Sequence, residues 1–474
     1  KYKKSKKRKK KKEKREKNLK KKIIMNLILR KIGIAKEKQK PEKLNTVGRL
    51  TLTMSEEKNE SVISAMVHIG RNIETKEIQK LFEERVIEEY PKFRSKMKRQ
   101  RFYKLHNIDI RDHIQEIRMK NEENTKEKLI TLITPLMNKA FDMEKPLWEL
   151  YIIRNYKEGG TILYVRVHHC IADGVALGNV LASLCDEQNQ LQQQQQQQQQ
   201  VIFEGWKWVS MIILMGCIHT INLVRVLLKS CMTILGPADP MIPHIKTTQE
   251  QLSTHKIPLW TQNYALDRLK KIGRPYQATL NDVMLTVIAG AIDRVRKHHS
   301  EAKQLSQYDI RCINPTNIRT TTIKKGELNN CVSFLFPLLP LGIEHPIRRM
   351  HKVKQRMDES KHMDEMGWMG FFVNITDMIP ARFMKTACNW LTSKTTVSIS
   401  NVRGPPSLLT ILGAPVKNTV AFLPAMHGIG YSFCIFSYND TVRIGITMDA
   451  SILKKPSLLI EAIDEEIQHL ESYL

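Results

Sequence analysis

Short apolar runs alternate with amphipathic stretches along most of the chain. Residues 62–69 (VISAMVHI) have the apolar character of a strand, and residues 76–90 carry apolar side chains at helical spacing. A second helical pattern covers 128–145, and two apolar runs at 148–153 and 161–167 are joined by a turn that contains two glycines. The pattern predicts a β-then-α opening followed by a helix and a β-hairpin.

The second half of the chain repeats this mixture of elements. It predicts helices over 280–295, 346–357 and 457–470, and strands over 308–313, 332–338, 397–399, 419–424, 430–438 and 441–448, with a hairpin turn at 438–441. The 474 residues exceed the roughly 250–300 over which a single hydrophobic core keeps growing. We therefore expect an α/β protein with two domains.

A low-complexity segment separates the two halves. Residues 192–200 are nine consecutive glutamines, which have no periodicity suited to packing and belong on a surface. The predicted organisation is a basic tail over 1–45, an N-terminal domain over 46–190, a connection over 191–244 and a C-terminal domain over 245–474.

The connection also contains the most apolar stretch of the chain, Trp206–Leu228. A membrane-spanning helix needs about 20 mainly apolar residues, whereas Lys207, His219, Asn222 and Arg225 interrupt this stretch. The favoured interpretation is an amphipathic helix in the bilayer interface with a tryptophan anchor. A full membrane span and a helix buried against the protein are the alternatives.

Positive charge is concentrated in the tail. Residues 1–40 hold 21 Lys/Arg against 3 Asp/Glu and so carry 18 of the 28 net positive charges. Like charges at this density keep a segment extended and solvated, which predicts a disordered tail. Contact with anionic lipid and a nuclear or nucleic-acid patch are the alternatives. Only Tyr2 is interleaved with the basic run, so an aromatic platform for nucleic acid is missing and we expect no such partner.

The distribution of cysteine and histidine argues against a metal site. The 8 cysteines form no CxxC pair and have no metal-ligand spacing with histidine. We expect reduced, mostly buried thiols and neither a metal nor another cofactor. The N-terminus also lacks the ordered regions of a secretory signal, so the site of action is expected to face the cytosol.

Candidate chemistry is concentrated at residues 168–174 (HHCIADG), directly after a predicted strand. Because alternate side chains of a strand face opposite sides, His168 and His169 must diverge, and only one can face a site. Asp173 can orient an imidazole or pair with an arginine, and Gly174 leaves room for a ligand beside the backbone. A neutral histidine is suited to take the proton from a hydroxyl, which is otherwise a poor nucleophile.

The pattern HHxxxDG between a strand and a helix resembles the motif of the chloramphenicol acetyltransferase superfamily, in which the second histidine is the base. Further blocks are similar to its wax ester synthase/diacylglycerol acyltransferase branch: Pro146-Leu147-Trp148, Asn281-Asp282-Val283, residues 314–319 (NPTNIR), residues 400–405 (SNVRGP), residues 428–431 (GIGY) and Met448-Asp449. The resemblance covers about 46–474. It departs from the family at Arg403, where proline is usual, and at Asn329-Asn330, where Gly-Asn is usual.

The resemblance implies roles for individual residues. His169 is expected to be the general base, with His168 supporting it and with Asp173 and Gly174 shaping the turn. Substrate-binding or structural roles fall to Asn281, Asp282, Asn401 and Gly404. The alternatives are that Asp282 simply caps a helix, that Asn401 and Gly404 only shape a loop, and that Pro146-Leu147-Trp148 belongs to the core.

The resemblance also implies a fold and a reaction. The expected fold consists of two chloramphenicol acetyltransferase-like α/β sandwich domains with the active-site channel between them. The expected reaction moves a fatty acyl group from the co-substrate acyl-CoA to a long-chain alcohol or diacylglycerol, giving wax ester or triacylglycerol without a metal or a covalent intermediate. The alternatives are a superfamily acyltransferase with a different acceptor and an inactive lipid-binding homologue.

Apolar substrates of this kind favour an enzyme that works at a membrane surface. The expected location is the cytosolic face of the endoplasmic reticulum or of the plasma membrane. The sequence does not indicate an oligomeric state.

Overall fold

The computed structural model describes residues 41–55, 61–120, 125–187, 225, 237–239, 252–298, 308–319, 326–362 and 379–474. Residues 1–40 of the basic tail, the glutamine run, and the apolar stretch Trp206–Leu228 apart from Arg225 lie outside the described residues. Within the described ranges, every helix is too short or too polar to cross a bilayer.

Strands and helices are mixed along the whole described chain. The strands are β1 (Glu42–Lys43), β2 (Val62–Ile69), β3 (Ser95–Lys98), β4 (Arg101–Lys104), β5 (Ile114–Arg118), β6 (Trp148–Arg154), β7 (Thr161–His168), β8 (Lys256–Trp260), β9 (Tyr264–Ala265), β10 (Tyr308–Asn317), β11 (Val332–Leu335), β12 (Leu338–Leu341), β13 (Val397–Arg403), β14 (Thr410–Ile411), β15 (Ala414–Phe422), β16 (Tyr431–Tyr438) and β17 (Thr441–Asp449). The α-helices are α1 (Thr46–Met54), α2 (Thr75–Phe82), α3 (Lys126–Met137), α4 (Gly174–Leu184), α5 (Leu266–Gly273), α6 (Leu280–His298), α7 (Pro346–His362), α8 (Ala381–Ser393) and α9 (Ser457–Glu471).

The first sheet has six strands in the order β14-β15-β2-β7-β6-β5. β2 and β7 are antiparallel over their full length, with Val62 opposite His168 and Ile69 opposite Thr161. The hairpin between β6 and β7 needs glycine at its end, because Gly160 has a φ of 79° and a Cβ there would lie 2.0 Å from the Ile69 carbonyl oxygen. The predicted hairpin is confirmed, and it fixes His168 as the last residue of its strand.

The second sheet has eight strands, with the main order β11-β10-β13-β16-β17-β8, β12 beside β10, and β9 beside β17. β10, β13 and β16 run parallel. Parallel strands need cover by helices, and the core here joins Ile399 and Phe433 of the sheet with Val287 of α6 and Ile463 of α9, all fully buried. This arrangement holds the carboxyl ends of β10 and β13 at one edge of the sheet.

Two strands from the second half of the chain complete the first sheet. β15 is antiparallel to β2, with Thr419 opposite Val67 and Phe422 opposite Ser64, and β14 pairs with β15. The second sheet lies close beneath, since a Cβ on Gly445 would stand 2.0 Å from the Ala421 carbonyl oxygen. The described residues from Lys43 onward accordingly belong to one unit that ends at Leu474.

Most predicted elements are present, and two predictions are wrong for identifiable reasons. The helix predicted over 128–145 ends at Met137, because the Asn138 side chain exchanges hydrogen bonds of 2.8 and 2.7 Å with the backbone of Lys256. The strand predicted over 332–338 is two strands, β11 and β12, on either side of Pro337, which has no N–H for the ladder. Helices α1, α5 and α8 were not predicted.

The Pro146-Leu147-Trp148 block belongs to the core. Trp148 is fully buried, its indole N–H donates to the Phe93 carbonyl at 2.7 Å, and its ring stacks on His113 and Phe82 at 4.5 and 4.9 Å between centroids. This favours the core interpretation of the block over contact with a substrate.

Candidate active site

The turn from β7 into α4 carries the two histidines and the aspartate. β7 ends at His168, and α4 begins at Gly174, with Asp173 as its N-cap residue. One Asp173 carboxylate oxygen accepts the Ala176 N–H at 3.0 Å, as an N-cap residue should. The turn is therefore held by hydrogen bonds within its own sequence.

His168 faces into the protein. Its Nδ1 accepts the Cys170 N–H at 3.1 Å, so the ring proton lies on Nε2, which is 2.9 Å from the Ser55 hydroxyl of the segment after α1. Burial, followed by the neighbouring His169, lowers the pKa of His168 to about 3. A buried, neutral imidazole with both nitrogens engaged supports the turn and takes no part in proton exchange near neutral pH.

His169 diverges from His168, as the strand geometry predicts. Its backbone N–H donates to the Ser61 carbonyl at 2.7 Å, and its Nδ1 lies 3.1 Å from the side-chain oxygen of Asn330. The other end of that amide is fixed, because the Asn330 NH₂ donates to the His169 carbonyl at 2.9 Å. The Asn330 oxygen must therefore accept a hydrogen bond, which places the imidazole proton on Nδ1 and leaves Nε2 as the basic nitrogen.

The imidazole of His169 is enclosed by protein yet lines an internal cavity. Burial lowers its pKa, an effect that the charge of Asp173 and the hydrogen bond to Asn330 oppose. The ring is consequently neutral at pH 7, the form that a general base requires.

Asp173 does not orient His169 as a third member of a catalytic triad. Its second oxygen is 2.6 Å from the Arg319 guanidinium and accepts the Cys331 N–H at 2.8 Å. Both charged side chains are almost fully buried, at 4% and 3% exposed. The predicted pairing with an arginine is confirmed, and the carboxylate ties the α4 N-terminus to the segments after β10 and before β11.

Cys170 follows the two histidines but is a poor candidate for a nucleophile. It is 1% exposed, and burial raises the pKa of its thiol to about 12. A thiolate there would be rare at neutral pH, so the chemistry of this turn rests on His169.

The cavity beside His169 has a volume of about 590 Å³, within the roughly 300–1,000 Å³ range of ligand sites. Its walls come from both halves of the chain and are mostly apolar. They include Val47 and Leu50 of α1, Leu177 of α4, Phe334 of β11, Leu391 of α8 and Phe422 of β15. Such a lining suits a hydrocarbon chain, since the hydrophobic effect favours apolar contacts away from water.

Gly174 and Gly178 lie four residues apart on α4 and both line the cavity. A Cβ on Gly174 would meet only Val402, at 3.9 Å, and a Cβ on Gly178 would meet nothing within 4 Å. The predicted open space beside Gly174 is present, and Gly178, which the sequence did not single out, extends it by one helical turn.

Two further predicted residues, Asn401 and Asp282, differ in whether they reach the cavity. Asn401 at the end of β13 lines the cavity, and its amide donates to the Asn281 side chain at 3.3 Å. Asp282 lies deeper, where its carboxylate accepts the N–H and hydroxyl of Thr279 at 2.8 and 2.7 Å. This pairing lies at the start of α6, so it favours the interpretation that Asp282 caps the helix.

Gly404 packs against backbone. A Cβ there would lie 2.3 Å from the Ser437 carbonyl oxygen, to which the Gly404 N–H donates at 3.0 Å. The loop-shaping interpretation fits this position, since the close approach to β16 requires glycine.

Three site residues were missed as such by the sequence reasoning. Arg319 ends a block that carried the family resemblance, and Asn330 belongs to a pair noted as a departure from the family, so both positions were marked but their partners were not. Ser55 had no signal, because its contact with His168 joins residues 113 positions apart. The same limit applies to Asn330 and His169, which are 161 positions apart.

In the described part of the chain, no three His, Cys, Asp or Glu side chains lie together in a group that could hold a metal ion. The six cysteines described there are all free thiols, and four of them are buried.

Comparison with known families matches both halves of the chain. The catalytic domain model of wax ester synthase/diacylglycerol acyltransferase covers residues 39–284, and the C-terminal domain model of the same family covers residues 328–471.

Individual relatives agree with these matches. A putative diacylglycerol O-acyltransferase of Mycobacterium bovis is 23% identical over 382 residues, which are 77% of this chain and 80% of the relative. Wax ester synthase/diacylglycerol acyltransferase 4 of Arabidopsis thaliana is 22% identical over 432 residues, 81% of each protein.

Solved structures show the same fold. The wax ester synthase/diacylglycerol acyltransferase from Marinobacter aquaeolei VT8 is similar with a TM-score of 0.64 at 17% identity, covering 91% of this chain and 99% of that one. An epimerization domain of tyrocidine synthetase B gives a TM-score of 0.55 at 13% identity, covering 92% and 99%. The predicted two-domain α/β acyltransferase fold is confirmed, and the chain belongs to the wax ester synthase/diacylglycerol acyltransferase family.

Proposed function

We propose that this protein transfers a fatty acyl group from acyl-CoA to the hydroxyl of a diacylglycerol or a long-chain alcohol. The observation that carries the proposal is the placement of His169, with its Nδ1 proton held by Asn330 and its ring on the wall of an apolar cavity. A polar acceptor would lose its hydration against such walls, so an apolar acceptor is favoured.

The proposed reaction is a direct transfer between the two substrates. Nε2 of His169 takes the proton of the acceptor hydroxyl while the oxygen attacks the thioester carbonyl. The tetrahedral intermediate then collapses, the C–S bond breaks, and the protonated imidazole returns its proton to the CoA thiolate. Atoms and charge balance without a metal or an acyl-enzyme, and the buried Cys170 thiol is not needed.

The test uses purified protein with one acyl-CoA and each acceptor in turn. His169→Ala should lower turnover by at least about 10²-fold, the usual contribution of a positioned base, while CoA binding changes much less. The matched control is His298→Ala, which removes an exposed histidine at the end of α6. A folded His169→Ala variant with near-normal turnover would show that the assigned base is wrong.

The proposal extends to the place of action. An acceptor that partitions into lipid is best collected by an enzyme that rests on a membrane, and we propose the cytosolic face of the endoplasmic reticulum or of the plasma membrane. The charge of the basic tail and the apolar stretch 206–228 support this by composition. Cell fractionation tests it, and recovery of the protein entirely in the cytosolic fraction would contradict it.

A further inference from the structure

Thr419 of β15 has a buried hydroxyl that finds no hydrogen-bond partner among the described residues. The residue lines the cavity and is only 7% exposed. Thr51, another threonine of the cavity wall, donates instead to the Gly48 carbonyl of its own helix at 3.0 Å. Thr392 donates to the Cys388 carbonyl at 3.0 Å in the same way. A buried hydroxyl without a partner is unfavourable, so its presence in the wall of a ligand cavity requires an explanation.

Strand pairing places the Thr419 side chain on the cavity side of its sheet. Thr419 is opposite Val67, and Ala421 is opposite Ala65. All four residues line the cavity, and residues opposite each other in an antiparallel pair point to the same face. Rotation about the Cα–Cβ bond exchanges the hydroxyl with the methyl group, so Thr419 can present its oxygen to a molecule in the cavity.

The strand register also gives the separation between Thr419 and the base. His169 follows His168, which is opposite Val62, whereas Thr419 is opposite Val67. Five residues of β2 at about 3.3 Å each give roughly 17 Å along the strand, and the spacing of β7, β2 and β15 adds about 10 Å across it. Thr419 therefore lies roughly 20 Å from His169, which is about the length of an extended sixteen-carbon chain.

Helix α4 runs beside this path. The cavity is lined from α4 by Gly174, Leu177, Gly178, Leu181 and Leu184, at successive turns of the helix. The 11 residues of α4 span about 16 Å from the turn that carries His169. Leu184 belongs to the same buried cluster as Val67, so the far end of α4 lies at the level of Thr419. The cavity thus extends from the base toward Thr419 as a passage for a chain.

We propose that the cavity accepts a long chain with a hydroxyl at its far end, and that this hydroxyl is recognised by a hydrogen bond with Thr419. The proposal rests on the proposed function, which places the reacting carbonyl beside His169. A few placed polar groups in an otherwise apolar cavity set the orientation and the specificity of a ligand. An ω-hydroxylated chain meets Thr419 whether it enters as the acyl group or as the alcohol, and the test separates these two sources.

Kinetics with paired substrates test the assignment. In one arm, hexadecanoyl-CoA and its ω-hydroxylated form are compared as donors to hexadecanol. In the other arm, hexadecanol and the corresponding α,ω-diol are compared as acceptors from hexadecanoyl-CoA. Thr419→Val should lower kcat/KM for the hydroxylated substrate relative to the plain one by about tenfold, because the substrate hydroxyl is then buried without a partner. The arm in which the ratio falls identifies the chain that reaches Thr419, and unchanged ratios in both arms would overturn the proposal.

Two variants serve as controls for the loss of the hydroxyl. Thr419→Ser keeps a hydroxyl at this position and should keep the native ratio within about twofold. Thr51→Val removes a hydroxyl of the cavity wall that already has a partner, so it should leave the ratio unchanged. Thr419→Val should unfold at the native temperature or above it, because no hydrogen bond within the protein is lost. A lower unfolding temperature would show that the protein itself satisfies this hydroxyl, and it would overturn the proposal.

A binding measurement separates failure of this site from failure of the proposed function. If the native protein acylates neither acceptor, the proposed function fails. Displacement of a bound fluorescent fatty acid by the two acyl-CoAs and by the two alcohols then decides the role of Thr419. We expect Thr419→Val to bind one of the hydroxylated compounds about tenfold more weakly than the native protein does. Equal affinity of the two proteins for both hydroxylated compounds would overturn the assignment.

Discussion

Two adjacent histidines acquire opposite properties from their surroundings. His168 engages both ring nitrogens with the protein, whereas His169 uses Nδ1 for Asn330 and turns the rest of its ring to the cavity. The strand period explains the divergence. What makes His169 a base is the amide of Asn330, which we assign as a positioning residue because it selects the tautomer and acts only through the imidazole.

Replacement of Asn330 should change the pH profile as well as the rate. The hydrogen bond from Nδ1 to Asn330 raises the pKa of His169 against the effect of burial. Asn330→Ala should therefore move the acid limb of kcat/KM to lower pH and reduce kcat at least about tenfold, because the tautomer is no longer fixed. Asn330→Asp should move the limb to higher pH, since a carboxylate favours the imidazolium. Superimposable pH profiles for the three proteins would exclude the assigned role.

His168 should make stability depend on pH. Its pKa is about 3 in the folded protein against an ordinary value of 6.5, so between these values the unfolded chain binds a proton that the folded chain does not. The free energy of unfolding should fall as the pH is lowered from 6.5 toward 3, by up to about 1.4 kcal/mol per unit from this group. Urea denaturation at pH 7, 6 and 5 should show a shallower fall for His168→Gln. If the free energy of unfolding falls equally steeply with pH in both proteins, a group other than His168 causes the dependence.

At the scale of elements, the sequence best predicted the strands and turns that are determined by residues close together in the chain. The strand β2, the β6–β7 hairpin and the turn into α4 follow from periodicity, from the positive φ of Gly160 in the hairpin turn and from Asp173 as the N-cap residue of α4. α8 was not predicted, although its apolar residues follow helical spacing along one side: Phe383, Met384, Ala387, Cys388, Trp390 and Leu391. The sequence indicated that Asp173 can pair with an arginine, but it did not show which one, because the choice of Arg319 depends on the tertiary fold.

Helix α4 offers a direct test of how the cavity sets substrate size. A side chain at Gly178 would project into open space beside the cavity. Gly178→Ala should raise stability by about 0.5–1 kcal/mol, as expected for glycine inside a helix. Gly178→Leu should lower kcat/KM for a sixteen-carbon acyl-CoA relative to an eight-carbon one by roughly tenfold, which corresponds to about two excluded methylenes at about 0.8 kcal/mol each.

The control for this change lies one residue away. Asn179 is half-buried on the same helix and does not line the cavity, so Asn179→Leu should leave the ratio of the two acyl-CoA substrates unchanged. A shift of the same size in both variants would mean that helix stability, and not cavity volume, governs the selectivity.

At the scale of the whole molecule, the two halves of the chain are completed by each other. β15 belongs to the sheet of the first half, the carboxylate of Asp173 holds Arg319, and His169 takes its tautomer from Asn330. The active site therefore depends on contacts between residues that a division at the glutamine run assigns to different domains. Neither half contains both the base and the residue that orients it.

A cut in the glutamine run should consequently leave a working enzyme. A protease site placed within residues 192–200 allows the purified protein to be cleaved after folding. We expect the two fragments to elute together and to keep most of the native turnover. The reason is that β15 and the buried Asp173–Arg319 pair hold the fragments together without a covalent link. Each fragment produced alone should be inactive and should lack a cooperative unfolding transition, since the first half would miss the edge of its sheet and leave Asp173 without its partner. Fragments that separate after cleavage, or an N-terminal fragment that unfolds cooperatively by itself, would show that the halves are independent domains and that the shared strand contributes little to their stability.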